Sequence, residues 1–171
     1  MPNRTNPVPL EGSGRILGRD GGEVASKAAT QPSLMLKRRL NTTPAQAFAA
    51  WTEPAKIARW FGPENCNVHH AETDPRIGGR FRVIMREDAG EEHDVSGVYR
   101  EIVPNEKLVF SWAWRSTPER ESLVTVLLRP DGDGTMLTLI HERFFDEAAR
   151  DGHKDGWTGT LNKLERFFAQ L

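Results

Sequence analysis

Hydrophobic and polar positions follow two regimes along this chain. Before residue 34 the large apolar side chains Met1, Val8, Leu10, Ile16, Leu17 and Val24 keep neither a period of 2 nor one of 3.6. From Leu34 the pattern is regular. Leu34, Leu36 and Leu40 mark one face of a first strand. Thr43 followed by Pro44 supplies a capping side chain and a proline at the first helical position, predicting a short helix to Trp51. Phe48 and Trp51, three apart, share its buried side. Pro54 restarts the chain into a second short helix with Ile57, Trp60 and Phe61 as its apolar stripe, and Gly62-Pro63 stops it.

The middle of the chain reads as strands and turns. Residues 66–73 form one strand, and Phe81, Val83 and Met85 alternate along the next. Between them Asp74-Pro75-Arg76-Ile77-Gly78-Gly79 supplies a turn, the paired glycines being free to take positive φ. Glu87, Asp88, Glu91, Glu92 and Asp94 cluster around Gly90 as a solvated hairpin tip, without the ligand spacing of a calcium loop. Residues 95–103, 108–114, 123–129 and 136–142 give four further strands between separators rich in turn formers. Short connections imply antiparallel neighbours. Asp146 then caps a final helix whose apolar residues Trp157, Leu161, Leu164 and Phe168 share one face, widened by Phe167 and Leu171. The fold class expected is α+β: a seven-stranded antiparallel curved sheet wrapped around a long C-terminal helix, with two short helices after the first strand closing one end.

Two segments follow from this. Residues 1–33 carry Gly12, Gly14, Gly18, Gly21 and Gly22 with Pro2, Pro7, Pro9 and Pro32, too little apolar surface to offset chain entropy, and read as a disordered tail. Residues 34–171 form the domain. The 23 basic and 24 acidic side chains leave a net charge of -1, without the basic footprint of a nucleic-acid binder. No apolar run approaches the roughly 20 residues of a membrane span, and none of secretory type follows Arg4. A single cysteine, Cys66, excludes an internal disulfide. These features predict a cytoplasmic protein, a monomer or homodimer, with neither nucleic acid nor membrane as partner.

Catalytic machinery is hard to find in the sequence. It has no Gly-rich phosphate loop, no Gly-x-Ser-x-Gly elbow and no His-Glu-x-x-His. His69 and His70, adjacent in a strand, should face opposite ways, and a metal site from His70, His93 and His141 has no spacing to support it. Cys66 reads as a small apolar filler, and Asp74 with Arg76 as a pair orienting their turn. No catalytic residue, metal or cofactor is assigned.

Four segments in register resemble the homologues of the heat-shock protein 90 ATPase activator, a family of the START-like, SRPBCC or Bet v allergen-like superfamily. They are Ala47-Phe48-Ala49-Ala50-Trp51-Thr52-Glu53-Pro54 running on to Trp60-Phe61-Gly62-Pro63; Asp74-Pro75-Arg76-Ile77-Gly78-Gly79-Arg80-Phe81; Val98-Tyr99-Arg100-Glu101-Ile102 with Leu108-Val109-Phe110-Ser111-Trp112; and His153-Lys154-Asp155-Gly156-Trp157 through Leu161 and Leu164. The resemblance covers residues 34–171 and implies the helix-grip fold, which hosts binders, lipid carriers, cyclases and co-chaperone domains.

A helix gripped by a concave sheet leaves room for a pocket. Gly152, Gly156 and Gly159 lie beside the Trp157 face of the last helix, which reads either as close packing against the sheet or as open volume. Phe110, Trp112 and Trp114 share one strand face, either core or pocket wall; as a wall, their indole N–H groups would reach water or a ligand oxygen. The expected ligand site is therefore Phe81, Met85, Phe110, Trp112, Trp114, His141, Gly156 and Trp157, with His141 either a hydrogen-bonded core residue or the group that fixes the guest's polar end. The expected function is binding of a small apolar, aromatic or lipid-like molecule in the sheet–helix cavity. The alternatives are a stress-response protein in weak contact with the chaperone, as the resemblance implies, and a cyclase- or hydratase-like enzyme, which would need a titratable pair inside the cavity.

Overall fold

The computed structural model describes residues 31–169. The tail expected over residues 1–33 lies outside the described residues except for its last three. Pro32 and Ser33 already belong to the fold: the Pro32 carbonyl accepts from the Phe144 N–H at 3.2 Å, and the Ser33 carbonyl from Arg150 Nη1 at 3.3 Å.

Seven strands and three helices follow in the order the hydrophobic pattern predicts. They are β1 (Leu34–Leu40), α1 (Pro44–Thr52), α2 (Pro54–Trp60), β2 (Cys66–Thr73), β3 (Arg80–Glu87), β4 (Glu92–Val103), β5 (Lys107–Trp114), β6 (Ser122–Asp131), β7 (Gly134–Glu142) and α3 (Glu147–Ala169). Two of the three helix starts, those of α1 and α3, form where a side chain satisfies a free N–H group. The Gln46 N–H donates to Thr43 Oγ1 at 3.2 Å, and the Ala149 N–H to Asp146 Oδ1 at 2.8 Å. Three strand boundaries move outward by two residues or more, among them that of β7, which begins at Gly134. β4 begins at Glu92, so the acidic turn narrows to residues 88–91. β6 continues through Pro130 because β5 ends opposite Leu127, and the missing proline N–H faces no ladder partner on that side.

The strands form one antiparallel sheet in the order β1-β7-β6-β5-β4-β3-β2. Each strand from β2 to β6 pairs with its successor, while β1 pairs with β7 over Leu34↔His141 to Leu40↔Thr135. The helices α1 and α2 thus carry the chain from one sheet edge to the other. Bulges at His69 on β2 and Arg100 on β4 sharpen the bend, and the sheet curls into a half-barrel. The bulge also corrects one expectation. His69 and His70 are both exposed rather than on opposite faces, and His70 Nε2 bonds Glu72 Oε2 at 2.7 Å.

The 74–79 turn divides its two glycines by role. Gly78 takes φ +87°, whereas Gly79 has ordinary φ and is small because a Cβ there would lie 2.0 Å from the Asp74 carbonyl oxygen. Arg76 pairs with Asp74 across the turn at 2.9 Å.

The concave face presents Phe81, Val83 and Met85 from β3, Val95 and Tyr99 from β4, Phe110 and Trp112 from β5, Val124, Val126 and Leu128 from β6, and Leu137, Leu139 and His141 from β7. Onto this face α3 lays Trp157, Leu161, Leu164, Phe167 and Phe168, all buried. Ala47, Ala50 and Trp51 of α1 with Ile57 and Trp60 of α2 close one end. Among the described residues no helix is long and apolar enough to cross a membrane.

Candidate functional site

The sheet and the helix do not fill the space between them. Between β3, β4 and β5, the start of α3 and the loop after α2 lies a cavity of about 350 Å³. Its sheet wall is Met85 and Glu87 on β3, His93 on β4, and Trp112 and Trp114 on β5. The helix contributes Ala149, Gly152, His153, Gly156, Trp157 and Thr160, the loop contributes Phe61, Gly62, Pro63 and Asn65, and Cys66 comes from the start of β2.

Five of the eight residues expected at a ligand site meet here: Met85, Trp112, Trp114, Gly156 and Trp157. The other three do not line the cavity. Phe81 and Phe110 lie further along the same concave face, packed edge to face at 5.1 Å and both against Tyr99, beside a void of only about 20 Å³. Alternation places a residue on a face and does not fix its depth along the half-barrel. His141 is 0% exposed and sits behind the wall, its ring 5.5 Å from that of Trp112.

The position of His141 has its own logic. The Trp157 Nε1–H donates to His141 Nδ1 at 3.0 Å, so the ring's proton belongs on Nε2, which donates to Ser122 Oγ at 2.7 Å. Ser122 in turn donates to the Trp112 carbonyl at 3.4 Å. This chain runs from the helix through β7 and β6 to β5, tying the helix wall to the sheet wall. Burial, reinforced by nearby His153, holds the His141 pKa well below its ordinary value of 6.5.

His153 is held in the same way. It donates from Nδ1 to the Ala149 carbonyl at 2.7 Å and accepts at Nε2 from the Trp114 Nε1–H at 2.9 Å. Burial lowers its pKa, partly opposed by the bond to Ala149. The indole N–H of Trp114 therefore departs from expectation. It goes to His153, and that of Trp112 is buried without a hydrogen-bond partner, ringed by Phe61, Trp114, His141, His153 and Trp157.

The three helix glycines divide by position. A Cβ on Gly152 would meet nothing within 4 Å, one on Gly156 would sit 3.7 Å from Pro63, and one on Gly159 would press on Glu64 at 3.3 Å. The first two leave the cavity open and the third serves close packing. The loop beneath is braced by Lys163, whose Nζ donates to the carbonyls of Phe61, Pro63 and Cys66 at 3.0–3.4 Å. Burial lowers the Lys163 pKa and raises that of the Cys66 thiol.

Glu87, His93 and His153 are among the cavity residues not anticipated. Glu87 follows Met85 by two positions, and Met85 stands directly across from His93 in the β3–β4 ladder, so period 2 already carried the first two onto the cavity wall. Their place in an acidic run disguised it. His93 Nε2 and Glu87 Oε2 are 2.5 Å apart, and the two side chains are 33% and 26% exposed. Together with Glu91 they bring metal-ligating atoms within 4.8 Å of one another. That mix of one imidazole and two carboxylates suits a divalent transition ion, but the short bond gives Glu87 and His93 a sufficient partner in each other.

A half-barrel of antiparallel strands gripping one long helix, with a partly filled interior, defines the helix-grip class. Residues 41–169 match the family model described as Activator of Hsp90 ATPase homolog 1-like protein, and the chain belongs to that family. The AHSA1 protein of Silicibacter pomeroyi is 30% identical, with a TM-score of 0.73 and coverage of 81% of this chain and 99% of that one. Protein CV1439 from Chromobacterium violaceum is 25% identical, with a TM-score of 0.72 and coverage of 80% and 97%. CalU16 from Micromonospora echinospora is 26% identical, with a TM-score of 0.58 and coverage of 80% and 75%. No curated protein matches the chain significantly.

Proposed function

We propose that this protein binds a small, planar, largely apolar molecule in the cavity between β3–β5 and α3. One observation carries the reading: a cavity of about 350 Å³ walled by Met85, Trp112, Trp114 and Trp157 between the sheet and the helix. A dry apolar cavity of roughly 150 Å³ already holds benzene, so this one has room for a two-ring guest. Its tryptophan walls suit flat partners by offset or edge-on stacking, worth about 0.5–1.5 kcal/mol per pair beyond area burial. Affinity is expected near micromolar, or roughly -8 kcal/mol.

The test is titration with a panel of aromatic polyketides, flavonoids and fatty acids, followed by tryptophan fluorescence and two-dimensional NMR. Shifts should concentrate at Met85, Trp112, Trp114, Gly156 and Trp157. Gly156→Leu fills the cavity from the helix side and should abolish binding while preserving the amide spectrum elsewhere. If every guest leaves those resonances unmoved, or if Gly156→Leu binds as the parent does, the cavity is not a binding site. The co-chaperone alternative rests on the family description, and no surface among the described residues argues for it.

A further inference from the structure

The polar groups of the cavity narrow the class of guest, on the premise that the cavity binds one. Most of them are already spent; among the donors the exception is the Trp112 Nε1–H, buried without a partner. Both nitrogens of His153 are engaged, and the Thr160 hydroxyl donates to the Gly156 carbonyl at 2.7 Å. The Cys66 thiol lies 3.7 Å from Asn65 Oδ1 and is held neutral by burial. Glu87 and His93 differ. Their mutual bond uses Oε2 and Nε2, leaving Glu87 Oε1 and His93 Nδ1 without partners among the described residues.

The charge around them has one sign. Asp88 and Glu91 belong to the turn that joins β3 to β4. The nearby cations are committed elsewhere: Arg86 pairs with Glu92 at 2.7 Å, and Lys163 is pinned by three carbonyls. The aromatic wall reaches this end too. The His93 ring, bonded through Nε2 to the half-buried Glu87 carboxylate, stands edge-on to that of Trp114, 6.1 Å away.

We infer that the cavity selects aromatic molecules bearing a protonated amine, with the rings against Trp112 and Trp157 and the ammonium at Glu87 Oε1. A half-buried carboxylate accepts a charge-assisted hydrogen bond more strongly than an exposed one. A carboxylate guest meets like charge at the same place. Fatty acids and aromatic acids are therefore poor ligands, and aryl-alkylamines good ones.

Three matched probes test this on the full-length protein by NMR titration in metal-free buffer at pH 7: 2-naphthylmethylamine, 2-naphthylmethanol and 2-naphthoate. The amine should bind at least tenfold more tightly than the alcohol, equivalent to about 1.4 kcal/mol, and the acid most weakly. Glu87→Gln should abolish the preference for the amine over the alcohol, and an unchanged amide spectrum away from the cavity verifies that the variant is folded. If all three bind alike, if the acid is preferred, or if Glu87→Gln keeps the preference for the amine, the inference falls while the cavity remains a binding site. If none of the three moves the cavity resonances, the binding reading falls with it.

Discussion

His141 ties the helix wall of the cavity to its sheet wall without lining the cavity itself. Its two nitrogens are committed, one to a donor and one to an acceptor, so only the neutral ring with its proton on Nε2 fits. A second proton would have to sit on Nδ1 and point at the Trp157 N–H. His153 is similarly saturated. In the unfolded chain both rings take up a proton near pH 6.5, whereas in the folded protein they resist it. Their contribution to stability is thus complete above about pH 6.5 and is lost progressively as pH falls below that value. Urea unfolding at pH 8, 7, 6 and 5 should show a constant midpoint between pH 8 and 7 and a falling one from 6 to 5. That window lies above the acid limb set by carboxylates such as Asp94, which its bond to Arg82 holds below the usual range. An unchanged midpoint at pH 5 would mean that His141 titrates normally. Trp157 is the other end of this device. Trp157→Ala should cost on the order of 3–5 kcal/mol, as large-to-small core changes do, because it removes the ring and leaves Nδ1 of a buried histidine without its donor. Denaturant titration measures the loss, and a parent-like midpoint would refute the docking of α3 through this face.

At the scale of elements, the glycines of α3 give graded expectations. Gly152→Ala adds a methyl in open space and should stabilise by about 0.5–1 kcal/mol through helix propensity alone. Gly156→Ala should do nearly as well, since Pro63 at 3.7 Å is an ordinary neighbour. Gly159→Ala should gain nothing, because Glu64 at 3.3 Å must yield. Melting temperatures of the three variants test this order, and an equal gain at all three would show that Gly159 is not closely packed. The elements themselves were legible because each carries its own punctuation: Thr43-Pro44, Gly62-Pro63, Gly78-Gly79 and Asp146. The misread points were those where a neighbouring strand decides. Pro130 continues β6 only because β5 has already ended, and His69 bulges to preserve the pairing of β2 with β3. The cavity was half legible for a related reason. Period 2 put Phe110 and Trp112 on one face, but the curl of the sheet determined that Trp112 borders empty space and Phe110 packs against Phe81 and Tyr99.

At the scale of the molecule, the fold closes through a contact that the order of hairpins did not reveal: β1, first in the chain, lies against β7. The chain just before β1 is part of that closure. Deleting residues 1–31 should leave stability within the ±0.5 kcal/mol of an inconsequential surface change. Deleting through residue 33 removes the acceptor of the N–H of buried Phe144 together with a partner of Arg150, and should lower the melting temperature measurably. Equal melting of the two truncations would place the start of the cooperative unit later than Pro32.

The sequence has five tryptophans, and the structure strings all of them together. Trp60 lies 4.8 Å from Trp51, Trp51 6.0 Å from Trp157, Trp157 5.2 Å from Trp112, and Trp112 5.5 Å from Trp114, at mutual angles between 32° and 88°. Indoles this close and this oblique couple electronically, so the near-ultraviolet circular dichroism of the protein should contain exciton couplets rather than five independent bands. Excitation absorbed anywhere along the array will migrate, and emission will report on the array as a unit. A guest that touches only Trp112 and Trp114 will therefore alter an optical signal to which Trp60, at the far end, also contributes. Replacing any one tryptophan with phenylalanine will change the spectrum by more than one residue's share.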